Sequence, residues 1–121
     1  MRVLLAEDDP HIAIIAKLSL EKLGGFEVTA VIDGEQALMQ ALTQNFDLIL
    51  LDEMMPKMNG IRVCQEYKAR CPQPRPVIFL SAKSQEADLR EFNENGAGFI
   101  SKPFDPTRLS AQINSIMKRI A

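Results

Sequence analysis

Phe46-Asp47-Leu48-Ile49-Leu50-Leu51-Asp52-Glu53-Met54-Met55-Pro56-Lys57-Met58-Asn59-Gly60 is a short apolar run that stops at a carboxylate and gives way to a loop. Leu48 to Leu51 are continuously apolar, whereas a strand with one face in water alternates. That pattern suits a strand covered on both faces, as in a parallel sheet flanked by helices. Asp52 then stands where the strand leaves the sheet. Ligands of open α/β sheets bind in the crevice beyond the carboxyl ends of the strands. A helix cap is a poor reading of Asp52, because Pro56 and Asn59-Gly60 delay the next helix by several residues.

The same grammar runs outward in both directions. Val3 to Ala6 is an apolar strand ending in Glu7-Asp8-Asp9, and Asp9-Pro10 reads as an N-cap with proline at the first helical position. That helix is expected to reach Leu23 and stop at Gly24-Gly25. Ile12, Ile15, Ala16, Ser19 and Leu23 are expected to face inward, leaving Ile14 and Leu18 outside that stripe. Val28 to Ile32 is a second strand, and Asp33-Gly34-Glu35-Gln36 opens a helix from Glu35 to Thr43. After the central stretch comes a helix from Ile61 to Arg70, closed by Pro72, Pro74 and Pro76. Val77 to Leu80 is a fourth strand, ending in Ser81-Ala82-Lys83. A polar helix from Glu86 to Asn93 stops at Asn95-Gly96. Phe99-Ile100 is a fifth short strand before Ser101-Lys102-Pro103-Phe104, and Asp105-Pro106 signals a last helix reaching Ile120.

Five βα units in strict alternation predict one α/β domain over 1–121, a parallel sheet with helices on both faces. Strand order is not readable from periodicity. At 121 residues the chain can bury a core without staples. Composition is that of an ordinary globular protein, 46% hydrophobic and 25% charged. The net charge of −2 gives no footprint for nucleic acid. No apolar run has the length of a membrane span, and Glu7-Asp8-Asp9 follows the first apolar run too soon for a secretory signal. Cytoplasm is the expected compartment. Cys64 and Cys71 match no metal or redox spacing and read as reduced thiols on a helix. His11 is expected to face solvent, and Met54, Met55 and Met58 to pack.

Parallel strands share one carboxyl edge, which collects Glu7, Asp8 and Asp9, then Asp52, Ser81 and Lys102. Carboxylates about 4 Å apart cost each other roughly 4 kcal/mol at an effective dielectric of about 20. Asp9 and Asp33 are better read as helix caps, but the others need protons or a cation to coexist. An all-oxygen set suits a hard divalent cation, with Mg²⁺ first choice. Carboxylates, a hard cation, a lysine and a hydroxyl together suit a phosphoryl group, and Asp52 is the plausible nucleophile.

Glu7-Asp8, Leu51-Asp52-Glu53-Met54-Met55-Pro56 with Gly60, Ser81-Ala82 and Lys102-Pro103-Phe104 together resemble the receiver domain of two-component response regulators. The match runs in order along essentially the whole chain. The resemblance implies a flavodoxin-like sheet of order 2-1-3-4-5, and phosphate accepted on Asp52 from a histidine kinase or histidine phosphotransfer protein. It implies Mg²⁺ held by Glu7, Asp8, Asp52 and the backbone carbonyl of Met54, Asp8 more directly than Glu7. Ser81 and Lys102 would bind phosphoryl oxygens, and Phe99 would change rotamer with Ser81. It further implies a cis Lys102-Pro103 bond and a tuning of phosphoryl lifetime by Met54 and Lys83. Ile14 and Leu18, beside the acidic edge, form a candidate docking patch for the phosphodonor. The output partner is open. One departure is Gly98-Phe99 after Gly96-Ala97, where many DNA-binding members carry two acids and a tyrosine; the charged dimer interface of that subfamily is not expected here.

Three other functions compete, of which a scaffold that has lost phosphorylation is disfavoured because all the site residues stand. A haloacid-dehalogenase-like phosphohydrolase would also use an aspartyl phosphate, but needs a second acid two residues after the nucleophile, where Met54 stands. A flavin or nucleotide carrier would need a Gly/Ser/Thr-rich loop after the first strand, where Glu7-Asp8-Asp9 has the wrong charge.

Overall fold

In the computed structural model, which describes residues 1–82 and 86–120, five short strands pair side by side, all parallel. They are β1 (Arg2–Ala6), β2 (Glu27–Val31), β3 (Leu48–Asp52), β4 (Val77–Ser81) and β5 (Gly98–Ser101), in the order β2-β1-β3-β4-β5. Helices α1 (Pro10–Lys22), α2 (Gly34–Thr43), α3 (Gly60–Arg70), α4 (Glu86–Asn95) and α5 (Leu109–Ile120) complete the alternation. This is the flavodoxin-like arrangement expected. Lys83 lies outside the described residues.

The apolar run of β3 is buried at every position, and its residues divide between two cores. Ile49 and Leu51 pack with Leu38 of α2, Val63 and Tyr67 of α3 and Phe92 of α4. Leu48 and Leu50 pack on the other face with Ala16 and Leu20 of α1 and Leu109 and Ile113 of α5. A strand between two helical layers has no wet face, so the alternation of a solvated sheet is absent. No helix among the described residues is long and apolar enough to cross a membrane.

Two local expectations are corrected. On α1, Ile15 and Leu23 are exposed and Leu20 is buried instead. The small residues Ala16 and Ser19 bring α1 close to the sheet, with Ser19 Oγ donating to the Pro106 carbonyl. This places Leu20, one turn beyond Ala16, in the core, while Leu23 is already the C-cap. At the last helix, the Asp105 carboxylate accepts from both the N–H and the Oγ of Thr107, and Arg108 N–H donates to Asp105 O at 3.0 Å. Those bonds close a turn, and the α-helix begins only at Leu109. The competing side-chain bonds of Asp favour such turns as readily as caps. Asp9 and Asp33 do cap α1 and α2, and Asn59 caps α3.

Candidate functional site

The carboxyl edge of the sheet gathers side chains from four strands. Asp52 is the last residue of β3, paired in register with Leu80 of β4, and it is only 4% exposed. Glu7 follows β1 directly, its N–H held by the Val31 carbonyl at 3.1 Å, and its side chain is fully buried. Asp8 beside it is exposed. Ser81 ends β4 and is buried. Lys102 follows β5, its N–H held by the Ser81 carbonyl at 2.8 Å, and the Lys102-Pro103 peptide is cis.

Lys102 Nζ lies 2.8 Å from Glu7 Oε1 and 3.2 Å from Asp52 Oδ1. Glu7 Oε2 accepts the Asp9 N–H at 3.3 Å, so both oxygens of Glu7 are engaged within the protein. Asp52 Oδ1 also accepts the Met54 N–H at 3.3 Å. Glu7, Asp8 and Asp52 each present an oxygen within 4.8 Å of the other two. Three carboxylates against one ammonium leave negative charge in excess. Burial, together with the hydrogen bond and charge of Glu7, therefore pushes the Asp52 carboxyl up to about 8, although Lys102 pulls it down. Burial lowers the Lys102 ammonium, but Glu7 and Asp52 outweigh it and hold its pKa above that of an ordinary lysine. The cluster is built of oxygens alone, without His or Cys, and its excess charge suits a hard divalent cation.

Over residues 3–114 the sequence matches the family described as Response regulator receiver domain. This chain belongs to that family. It is 35% identical over 119 residues to the alkaline phosphatase synthesis transcriptional regulatory protein PhoP of Bacillus subtilis, covering 98% of this chain and 49% of that one. It is 39% identical to the probable transcriptional regulator ycf27 of Cyanidium caldarium, covering 98% of this chain and 47% of the other. The chain thus spans about half the length of the curated relatives it matches. Among solved structures, the Francisella response regulator 1452 receiver domain superposes with a TM-score of 0.86 at 31% identity, covering 99% of this chain and 98% of that one. Membership places the receiver among signalling domains.

The remaining expected residues fall elsewhere in the receiver. Phe99 is half-buried on the α4 side, its ring centroid 6.1 Å from that of Phe92. Ile14 and Leu18 are exposed on α1. Met55 and Met58 pack against the core, but the Met54 side chain is 69% exposed, contrary to the packing role expected of it. One contact had no signal in the sequence. Lys57 has φ 70°, and its Nζ lies 3.6 Å from Asp33 Oδ2, tying the loop after β3 to the start of α2. Lysine is not a residue that announces a left-handed backbone, and Asp33 already had a sufficient role as a cap.

Proposed function

We propose that this receiver is a cytoplasmic, phosphorylation-dependent switch. Asp52 takes a phosphoryl group from a phosphohistidine of a histidine kinase or histidine phosphotransfer protein. An Asp52 carboxylate oxygen bonds to phosphorus as the P–N bond breaks, and its electron pair returns to the imidazole, which takes up a proton. Bound Mg²⁺ would neutralise charge on the phosphoryl oxygens. Asp8, Asp52 and the Met54 carbonyl would hold the ion, with buried Glu7 completing the acidic pocket. Lys102 would exchange its contact with Asp52 for a phosphoryl oxygen, and Ser81 would donate its hydroxyl to another. The shift of Ser81, with Phe99, would bias a two-state surface formed by α4, β5 and α5 toward an output partner.

The observation that carries this reading is Lys102 Nζ bridging Glu7 and Asp52 at 2.8 and 3.2 Å. It brings acids from two strands and an amine from a third to one point. The hydrolase alternative still lacks its second acid, because Met54 stands there. Incubation with acetyl phosphate and Mg²⁺, followed by intact mass and peptide mapping, tests both. A single lasting phosphoryl adduct on Asp52 supports the receiver reading. Multiple turnover without an adduct supports the hydrolase, and neither adduct nor turnover defeats both.

The exposed pair Ile14 and Leu18 offers an apolar patch beside the acidic edge for the phosphodonor. Ile14→Asp combined with Leu18→Asp is expected to slow transfer from the cognate phosphodonor at least tenfold, the loss of about 1.4 kcal/mol of docking energy. Labelling by acetyl phosphate, which needs no docking surface, is expected to stay the same. Equal slowing of both reactions would place the damage in the site rather than the patch.

A further inference from the structure

We infer that Asp33 and Gly34, at the junction of β2 and α2, are positioning residues that hold the loop carrying the Met54 carbonyl. The inference rests on the proposed cation site and assigns it a support from outside the carboxylate cluster. The loop of residues 53–59 is pinned at its base, where Glu53 N–H donates to Leu80 O at 2.9 Å and Gly60 N–H to Glu53 O at 3.0 Å. A Cβ at Gly60 would lie 2.5 Å from Asp52 O, so the loop returns tightly onto its own start. Its tip is a γ-turn, with Met58 N–H donating to Pro56 O at 2.8 Å across Lys57 at φ 70°. A non-glycine residue there is strained and persists only when its surroundings enforce it.

Asp33-Gly34 supplies that enforcement. Gly34 N–H donates to the same Pro56 carbonyl at 3.3 Å. A Cβ on Gly34 would overlap the Met58 carbonyl oxygen and stand 2.7 Å from its carbon, so only glycine admits the turn. The buried Asp33 carboxylate divides its oxygens: Oδ1 caps α2 through Gln36 N–H at 2.8 Å, and Oδ2 pairs with Lys57. Capping alone explains neither the ion pair nor the close approach. Met54 lies between the pinned base and this tip with its side chain in solvent, so its own packing does not fix its carbonyl. The Met54 N–H is held by Asp52 Oδ1 at 3.3 Å, and the rest of the restraint on its carbonyl comes through the turn that Asp33 and Gly34 hold.

Titrating the full chain with MgCl₂ by calorimetry, with urea unfolding of the metal-free proteins alongside, tests this. Gly34→Ala is expected to weaken Mg²⁺ binding roughly tenfold, the scale seen when groups supporting metal ligands are removed. Lys57→Gln removes the ion pair together with a positive charge near the site. That charge loss alone would tighten Mg²⁺ binding, so the weakening of about threefold expected of it reports the lost support. A folded Gly34→Ala protein that binds Mg²⁺ as the unaltered chain does would overturn the inference, whatever its loss of stability. Should Gly34→Ala not fold, unchanged affinity in Lys57→Gln overturns it equally. An unaltered chain that binds no Mg²⁺ at millimolar concentration would remove the cation reading itself, and the inference with it.

Discussion

Asp52→Asn is expected to stabilise the metal-free protein by about 3 kcal/mol near pH 8, and by almost nothing near pH 4. The gain at pH 8 is roughly half of what the full shift is worth, because solvent at the open side of the site screens the charges. The sign follows from the direction of the shift. Burial and the hydrogen bond and charge of Glu7 raise the folded carboxyl to about 8, against 3.8 for an unhindered aspartate. Below about pH 4 both folded and unfolded chains hold the proton, and Asp52 contributes its full share of stability. As pH rises toward 8 the unfolded chain gives up the proton while the folded chain retains it, so folding is progressively penalised. Asparagine mimics the protonated acid and escapes the penalty.

For a chain of this size the gain corresponds to a rise in Tm of roughly 10 °C, which melting curves at several pH values would resolve. Mg²⁺ should narrow the gap at pH 8 by stabilising the unaltered chain alone, by about 2.7 kcal/mol at a hundredfold excess over Kd. Equal stability of the two proteins at every pH would mean that the carboxylates do not strain one another.

The large features of this fold were legible because each is enforced by strong, local physics. A run such as Leu48 to Leu51 has no solvated side in any plausible sheet, and Asp9-Pro10 satisfies a helix start with two independent signals. The carboxyl edge followed from connectivity, since parallel strands joined by helices must end together. Strand order came from family resemblance, because each apolar run would suit several neighbours equally well. Sequence separated Glu7 from Asp8 only through that resemblance; the structure separates them by burial, one sealed against Lys102 and the other open to water. Ile15 and Leu23 misled because a helix can rotate by a residue's width when Ala16 and Ser19 allow close approach. The tie between Lys57 and Asp33 was invisible, since it depends on a strained backbone that lysine does not advertise.

Lys102→Gln is expected to cost about 3 kcal/mol of stability near neutral pH, the scale for stripping a buried charge of its partner. Glu7 is fully buried and Lys102 Nζ is 2.8 Å from its Oε1, whereas glutamine offers Oε1 a shorter, neutral donor at best. Labelling of Asp52 by acetyl phosphate should fall roughly 10²- to 10³-fold, as when one fixed donor to a developing oxyanion is lost. A folding defect alone would not produce that loss if the variant is assayed well below its Tm.

A second substitution separates charge balance from packing. Lys102 opposes the forces that raise Asp52, so without it Asp52 holds its proton to higher pH and its ionisation costs folding more. Asp52→Asn should therefore restore more stability in the Lys102→Gln background than it adds to the unaltered chain. The coupling is small at pH 8 and reaches about 1–2 kcal/mol only above about pH 9, where Asp52 of the unaltered chain has ionised. If the two changes simply add, the lysine stem's packing would account for the cost. Lys102 would then hold its strand end in place without balancing the charge of the acids.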